Sequence, residues 1–166
     1  MILATDTDYS EAGARTAGVL FRSWADAEPA ATRVIETTEV AAYEPGAFFR
    51  RELPLILALL EALDEPPSMV VVDGYVTLDG AGRKGLGAHL FDALAGAVGV
   101  IGVAKTAFQG SPHAVPVIRG TSERPLYVTA VGLAPEEAAE HIRAMHGPHR
   151  LPTLLKWVDR LCRDGP

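Results

Sequence analysis

The first forty positions hold one short apolar segment and two segments in which apolar and polar residues alternate loosely. Met1–Thr7 is apolar until it reaches Asp6, and Arg15–Trp24 and Thr32–Val40 show the alternation. Successive side chains of a strand point to opposite faces, so these patterns predict three strands. Three strands in succession predict an antiparallel meander at the start of the chain.

A strongly helical run follows the predicted meander. Residues 55–65 read LILALLEALDE, Pro54 precedes them, and Pro66 and Pro67 follow them. Proline early in a helix and proline after its end are normal boundary signals. The pattern therefore predicts a helix that opens at Glu52, with this acid at its start rather than in its middle.

Met69–Val72 is a continuous apolar run that ends on Asp73 and Gly74. This pattern is typical of a buried parallel strand with an acid at its C-terminal tip. The glycine-rich stretch at residues 79–87 has neither the dinucleotide-binding nor the P-loop spacing, so we interpret it as a flexible loop and a tight helix entry.

Helical and strand patterns alternate in the second half of the chain. The predicted elements are a helix at His89–Ala95, strands at Val100–Ala104 and Leu126–Val131, a helix from Pro135 and a helix at Pro152–Arg163. Together the patterns predict an α/β fold, in which a mixed sheet of about five strands is flanked by helices and an antiparallel meander runs into parallel strands. A length of 166 residues suits one domain spanning residues 1–166.

Three acids stand at the ends of predicted elements. Asp6 and Asp73 each end an apolar strand, and Glu52 opens a helix. Sites of α/β sheets lie at the carboxyl ends of strands, so neighbouring strand tips would bring these carboxylates within reach of one cation. Such hard oxygen ligands suit Mg²⁺ or Mn²⁺. The alternative, which the pattern alone leaves equally open, is that aspartates end strands because they form turns.

Other chemistry is less well supported by the sequence. Lys105, at the end of the strand Val100–Ala104, could hold a phosphate as a point charge, although a solvated loop lysine fits this position better when it is taken alone. Cys162 is the only cysteine, so no internal disulfide can form. No histidine pair has the zinc-site spacing, and no serine lies in a G-x-S-x-G turn.

The formal net charge of −6 argues against a general nucleic-acid coat protein. It does not exclude a nuclease, because acids that bind metal become part of a phosphate site. No apolar run approaches the length of a membrane span, and the N-terminus lacks a signal-peptide pattern. We therefore expect a cytoplasmic protein with no membrane partner.

Residues 43–54 carry a specific motif. Their sequence, YEPGAFFRRELP, resembles the signature of the endonuclease V family, in which a Y-x-P-G turn precedes an R-E-L-P helix start. Further family-like blocks follow in the expected order, namely VDG at 72–74, GLGAH at 85–89, IGVAK at 101–105, RPLYV at 124–128 and RLP at 150–152. The resemblance covers nearly the whole chain.

The resemblance implies a ribonuclease H-like fold and a Mg²⁺-dependent endonuclease of nucleic-acid repair, with Mn²⁺ as a possible substitute. The family cleaves nucleic acid that contains deaminated adenine, at the second phosphodiester on the 3′ side of inosine. By resemblance the metal-binding acids are Asp6, Glu52 and Asp73. Lys105 would lie near the phosphate, and Asp159 stands where the family has His or Asp.

The same resemblance implies a set of substrate-contacting residues. The turn from Tyr43 to Gly46 would act as a wedge that separates strands and helps to expose the lesion. Gly46 and Gly74 would let the backbone approach the base closely. The residues in the matched blocks that this implies are Tyr43, Pro45, Gly46, Gly74 and His89.

The loop after Asp73 departs from the family pattern. The family follows its Asp-Gly pair with His-Gly and then His-Pro-Arg, where this chain has Tyr75-Val76 and then DGAGRK at 79–84. The chain also begins almost directly on its first strand and reads LLK at 154–156 where the family prefers Pro-Thr-Arg. These departures imply that less of the surface faces DNA than in the longer family members. We therefore expect the partner to be inosine-containing single-stranded DNA or RNA in preference to duplex.

A second hypothesis follows from this departure. The chain would be a ribonuclease H-like nucleic-acid-binding or regulatory module that keeps the metal site but lacks inosine-specific cleavage. The loop at residues 75–84 is the sequence feature that separates the two hypotheses.

Overall fold

The computed structural model describes residues 1–109 and 113–165, and within these residues it forms one seven-stranded mixed sheet with four helices. The strands are β1 Ile2–Ser10, β2 Gly13–Phe21, β3 Ala31–Thr37, β4 Met69–Asp73, β5 Gly99–Ala104, β6 Val115–Val117 and β7 Leu126–Val131. The helices are α1 Phe49–Glu61, α2 Leu86–Ala93, α3 Pro135–Ala144 and α4 Thr153–Asp164. The strands lie in the order β3-β2-β1-β4-β5-β7-β6.

The predicted α/β fold class is confirmed. β1, β2 and β3 form an antiparallel meander, β4 pairs parallel to β1, and β5 pairs parallel to β4. The sheet has seven strands rather than about five. Six of them lie on segments predicted as strands, including β7, which pairs antiparallel to β5, and the seventh is β6, which pairs antiparallel to β7. β6 was not predicted, since a three-residue strand with Pro116 at its centre shows no alternation. Proline is tolerated there because β6 is an edge strand.

Several predicted boundaries move, and two of these moves involve acids. β1 continues to Ser10 because it pairs with β2 along its whole length, so Asp6 and Asp8 lie inside the strand. α1 begins at Phe49, three residues before the expected start, which places Glu52 in its first turn.

Helices cover both faces of the sheet. In one layer, Ile142 of α3 and Leu154 and Val158 of α4 pack on alternate sheet residues, including Ala4, Val71 and Ile101. In the other layer, Ile56 and Leu59 of α1 and Leu90 of α2 pack on the intervening sheet residues, including Leu3, Val70 and Val72. α4 therefore packs over the face on which Ala4 and Val71 lie. Among the described residues, no helix has the length and apolar character that crossing a membrane requires.

Candidate metal centre

Asp6 and Asp73 lie where two parallel strands part. The pairing of β1 with β4 runs from Ile2 opposite Met69 to Thr5 opposite Val72, and it stops there. Asp6 and Asp73 are the next residues on each strand, so they are neighbours across the opening. They line a crevice that is closed on one side by apolar residues of α4 and the loop before it, namely Leu151, Leu155 and Val158.

Glu52 reaches the same region from the other layer. It lies in the first turn of α1, where a negative charge suits the helix dipole, and its side chain is buried. The Tyr9 hydroxyl donates to Glu52 Oε1 at 2.8 Å. The guanidinium of Arg51 lies 3.8 Å from the centre of the Tyr9 ring. Tyr9 therefore connects β1 to Glu52, a contact that the sequence did not suggest because the two residues are 43 positions apart.

Burial and mutual repulsion make two of the acids hard to ionise. Burial, assisted by the charge of Asp73, raises the pKa of Asp6 to about 6. Burial also raises the pKa of Glu52 to about 7; the charges of Asp6 and Asp73 add to this, and the hydrogen bond from Tyr9 opposes it. A bound cation would offset both effects, because it favours the charged form of each carboxyl.

Lys105 supplies a positive charge at the edge of the crevice. Its Nζ lies 2.9 Å from Asp73 Oδ2, and both side chains are partly exposed. Burial lowers the pKa of Lys105, but the hydrogen bond with Asp73 and the charges of Asp73, Asp6 and Asp159 together leave the pKa raised. Arg150 donates to the Lys105 carbonyl and to the carbonyl of Pro125, at 2.8 Å, so it fixes the backbone where β5 ends.

Asp159 approaches the crevice from α4. Its carboxylate is ion-paired with Arg163, one turn later on the helix. The charge of Asp159 acts on the pKa of both Asp6 and Lys105. Asp6, Asp73 and Lys105 thus line the crevice, whereas Glu52 and Asp159 do not line it but lie near enough for electrostatic interaction with residues that do.

Within residues 1–109 and 113–165, no three Asp, Glu, His or Cys side chains converge closely enough to form a ready-made metal site. Each of the three acids has its own partner instead: Asp73 has Lys105, Glu52 has Tyr9, and Asp6 accepts from the Thr7 N–H at 2.9 Å. Because carboxylates repel one another, each is stabilised by a separate hydrogen-bond donor or cation. As a donor set, however, three carboxylates fit a hard divalent cation.

The proposed wedge is exposed in the loop before α1. The Ala47 N–H donates to the Glu44 carbonyl at 3.0 Å, and Gly46 has a φ of +79°, as a turn with proline before glycine requires. Tyr43 is 65% exposed. Pro45 and Gly46 are exposed beside it, so the loop is open to a ligand.

Gly74 and His89 differ in their surroundings. Gly74 has a φ of +126°, and a Cβ built on it would meet nothing within 4 Å, so a ligand could approach its backbone. The ring of His89 stacks on Phe49 with the ring centres 3.6 Å apart. His89 therefore packs α2 against the start of α1, the helix that carries Glu52.

The divergent loop after Asp73 is tied to the fold by its own residues. The Tyr75 hydroxyl donates to the Thr106 carbonyl at 2.7 Å and accepts from the Phe108 N–H at 3.1 Å. The Val76 N–H donates to Thr129 Oγ1 at 2.8 Å. Tyr75 thus attaches the loop to the segment after Lys105, and Val76 attaches it to β7.

The chain is similar to proteins of one family along most of its length. The sequence model described as Endonuclease V matches residues 1–134. An endonuclease V of Streptomyces coelicolor is 37% identical over 145 residues, which cover 73% of this chain and 59% of that protein. The first relatives found are longer proteins, and this chain spans between 59% and 61% of their length.

Solved structures show the same likeness. The endonuclease V of Streptomyces avermitilis matches with a TM-score of 0.71 at 30% identity, over 98% of this chain and 79% of that chain. A variant of the Ciona intestinalis endonuclease V, in complex with a 23mer DNA containing an inosine followed by a ribo-adenosine, matches with a TM-score of 0.79. Its identity is 19%, over 98% of this chain and 83% of that chain, so this second match shows the fold alone.

Proposed function

The chain belongs to the endonuclease V family, and on this premise we propose that it is a metal-dependent endonuclease that hydrolyses a phosphodiester 3′ to inosine in DNA or RNA, in nucleic-acid repair. The observation that carries the proposal is that Asp6 and Asp73 lie side by side where β1 and β4 part, and that Glu52 lies near enough for their charges to raise its pKa. If these acids were isolated turn residues, their charges would not affect one another. Instead, the charge of Asp73 raises the pKa of Asp6, and the charges of Asp6 and Asp73 raise the pKa of Glu52.

Asp6, Glu52 and Asp73 would hold the cation, with Mg²⁺ as the expected ion and Mn²⁺ as a substitute. When bound, the ion would polarise the scissile phosphate and lower the pKa of an attacking water. The carboxyls must be charged to bind it. The raised pKa values of Asp6 and Glu52 therefore mean that protons compete with the metal below about pH 7.

Lys105 and Asp159 would act on the substrate and on water. Lys105 is held by Asp73 in the free protein. Neutralisation of Asp73 would release the ammonium group to bind a phosphate oxygen as a point charge. Asp159, on the α4 side of the crevice, would accept a hydrogen bond from water there.

The exposed loop before α1 would contact the lesion. A wedge at Tyr43 would stack on a base that has left the helix, and the open backbone at Gly74 would lie close to the extruded base. Extrusion costs least when a base is already unpaired. Together with the net charge of −6, this favours single-stranded DNA or RNA over duplex.

A panel of oligonucleotides tests the proposal. Inosine is placed in single-stranded DNA, duplex DNA and RNA, each beside a matched adenosine strand, and products are mapped after incubation in Mg²⁺. We expect Mg²⁺-dependent cleavage at the second phosphodiester 3′ to inosine, fastest in a single strand. Asp73→Asn should abolish it. Asp92→Asn, the same change on the surface of α2, should not.

Strand binding without cleavage, in Mg²⁺ or Mn²⁺, would support the alternative of a binding or regulatory module. The divergent residues 75–84 are the basis of that alternative. Cleavage that survives Asp73→Asn would contradict the assignment of the site.

A further inference from the structure

The outer face of α4 carries an exposed aromatic residue between two cations. Trp157 is 41% exposed, and Lys156 and Arg160 flank it. These side chains line a groove with Thr153 on α4, Thr32 of β3 and His149 of the loop before α4. The groove holds about 610 Å³, within the range of roughly 300–1,000 Å³ of many ligand sites.

Most cations of this acidic protein already have a partner. In the part of the chain that the structure describes, eight of the 15 lysines and arginines are ion-paired with an acid. Arg119 and Arg150 donate to backbone carbonyls instead. Within residues 1–109 and 113–165, Lys156 and Arg160 have neither kind of partner, so their charges are available to a ligand.

The spacing of the two cations also points to an anion. Lys156 and Arg160 are four residues apart on α4 and therefore lie on neighbouring turns of one face. Like charges at this spacing repel each other and destabilise a helix. Asp164 is the only acid among the residues that line the groove. A bound anion would remove the repulsion.

The groove adjoins the crevice of the metal centre. Leu151 lines both. Asp159, whose charge acts on Asp6 and Lys105 of the crevice, immediately precedes Arg160 of the groove. A chain-like ligand that passes through the crevice would therefore continue along this face of α4.

We propose that the groove binds a single-stranded nucleic acid, with Trp157 stacked on a base and Lys156 and Arg160 on phosphates. Stacking on an aromatic ring needs a free base face, which a duplex hides. This inference rests on the proposed function, because the strand would be the continuation of the substrate beyond the scissile phosphate.

Binding of an oligothymidylate of about 20 nucleotides tests the inference, with the full chain kept in EDTA so that no cleavage occurs. The strand contains no inosine, so the measurement does not depend on lesion recognition. Affinity is measured by the anisotropy of a fluorescein label on the strand, a signal that does not depend on Trp157. In the wild type we expect the strand to quench tryptophan fluorescence, and to quench it less in Trp157→Phe, which keeps only Trp24. We also expect Trp157→Ala to weaken binding by about 10-fold, while Trp157→Phe retains most of the affinity.

The charges are tested by the salt dependence of the same binding. Arg160→Ala should reduce the slope of log K against log salt by about 0.7, as the loss of one phosphate contact predicts for a single strand. Lys156→Ala should do the same. Arg22→Ala is the matched control. Arg22 is exposed just beyond the end of β2, next to the start of β1 and away from the end where Asp6 lies. Circular dichroism and the melting temperature confirm folding of each variant.

Unchanged affinity and slope in the Trp157, Lys156 and Arg160 variants would overturn the inference. So would a concentration-dependent change of oligomeric state in Trp157→Ala, which would assign the groove to a second copy of the chain. Failure of the proposed function looks different, since oligothymidylate would still bind through the groove while inosine strands remain uncut.

Discussion

Glu52 and Asp6 are two carboxyl groups whose ionisation the fold opposes. Burial raises their pKa values to about 7 and about 6 respectively. The folded protein therefore binds these protons more tightly than the unfolded chain does. The stability that they contribute is fully present below about pH 4 and is lost as the pH rises through 6 to 7.

Glu52→Gln isolates this effect in the metal-free protein. The amide oxygen can still accept the hydrogen bond from Tyr9, but the amide has no charged form that burial would destabilise. In EDTA, the free energy of unfolding of the variant should exceed that of the wild type by an amount that grows from pH 5 to pH 8, to about 3 kcal/mol at most. Urea denaturation at several pH values measures the difference. A variant less stable than the wild type at pH 8 would contradict the cause assigned to this pKa.

Tyr9→Phe tests the hydrogen bond that the sequence did not reveal. Without the hydroxyl, the pKa of Glu52 should rise further, because the bond favours the charged carboxylate. Mn²⁺ affinity should fall by about 10-fold at pH 6.5, a usual loss for an outer partner of a ligand, and by less at pH 8. Titration calorimetry at both pH values gives the comparison. An equal loss at both would indicate that Tyr9 acts only through packing.

At the element scale, β5 determines the position of the turn after Asp73. A Cβ on Gly102 would lie 2.5 Å from the Gly74 carbonyl oxygen, 2.8 Å from Thr129 Oγ1 and 2.9 Å from the Val76 nitrogen. The backbone that follows Asp73 can approach β5 this closely only because residue 102 has no side chain.

Gly102→Ala should therefore displace the turn that carries Asp73. We expect a loss of about 1–3 kcal/mol in unfolding free energy from overpacking, and weaker Mg²⁺ binding. Gly80→Ala is the matched control, since a Cβ there meets nothing within 4 Å. Thermal unfolding with and without Mg²⁺ distinguishes the two variants. If Gly102→Ala and Gly80→Ala had the same stability and the same response to Mg²⁺, the turn would not depend on the absence of a side chain at residue 102.

The elements differ in how well the sequence predicts them. The strand at Leu126–Val131 was placed correctly to the residue, and the apolar run before Asp73 gave β4. The predicted first strand ends before β1 does, because pairing with β2 continues past the polar residues Asp6 and Asp8. The predicted start of α1 is too late in the chain, because the turn at Glu44–Ala47 leads directly into the helix.

The sequence indicates the acids of the candidate site but not their partners. Asp73 ends β4 and Glu52 lies in the first turn of α1, as their patterns predict, whereas Asp6 lies inside β1 and is indicated by the family blocks. The contacts of Tyr9 with Glu52 and of Arg150 with the Lys105 backbone join residues more than 40 positions apart. Such pairs follow from the packing of the layers, which no local pattern encodes.

At the scale of the whole molecule, metal binding should be linked to global stability. A ligand that binds only the folded state stabilises it, by about 2.7 kcal/mol at a concentration 100-fold above its Kd. Mg²⁺ should therefore raise the melting temperature more at pH 8 than at pH 5.5, where Asp6 and Glu52 retain protons. Differential scanning calorimetry measures this, with Asp6→Asn as the variant in which the Mg²⁺ effect should vanish. A Mg²⁺ effect equal at both pH values would contradict the linkage.

A crystal structure of the wild type grown with Mn²⁺ near pH 8 tests the proposed metal centre most directly. We expect an anomalous peak in the crevice, bound to carboxylate oxygens of Asp6, Glu52 and Asp73 at about 2.0–2.3 Å, with Asp73 released from Lys105. A well-ordered crevice without a peak, or a peak bound by other residues, would contradict the assignment of these three acids as the metal site.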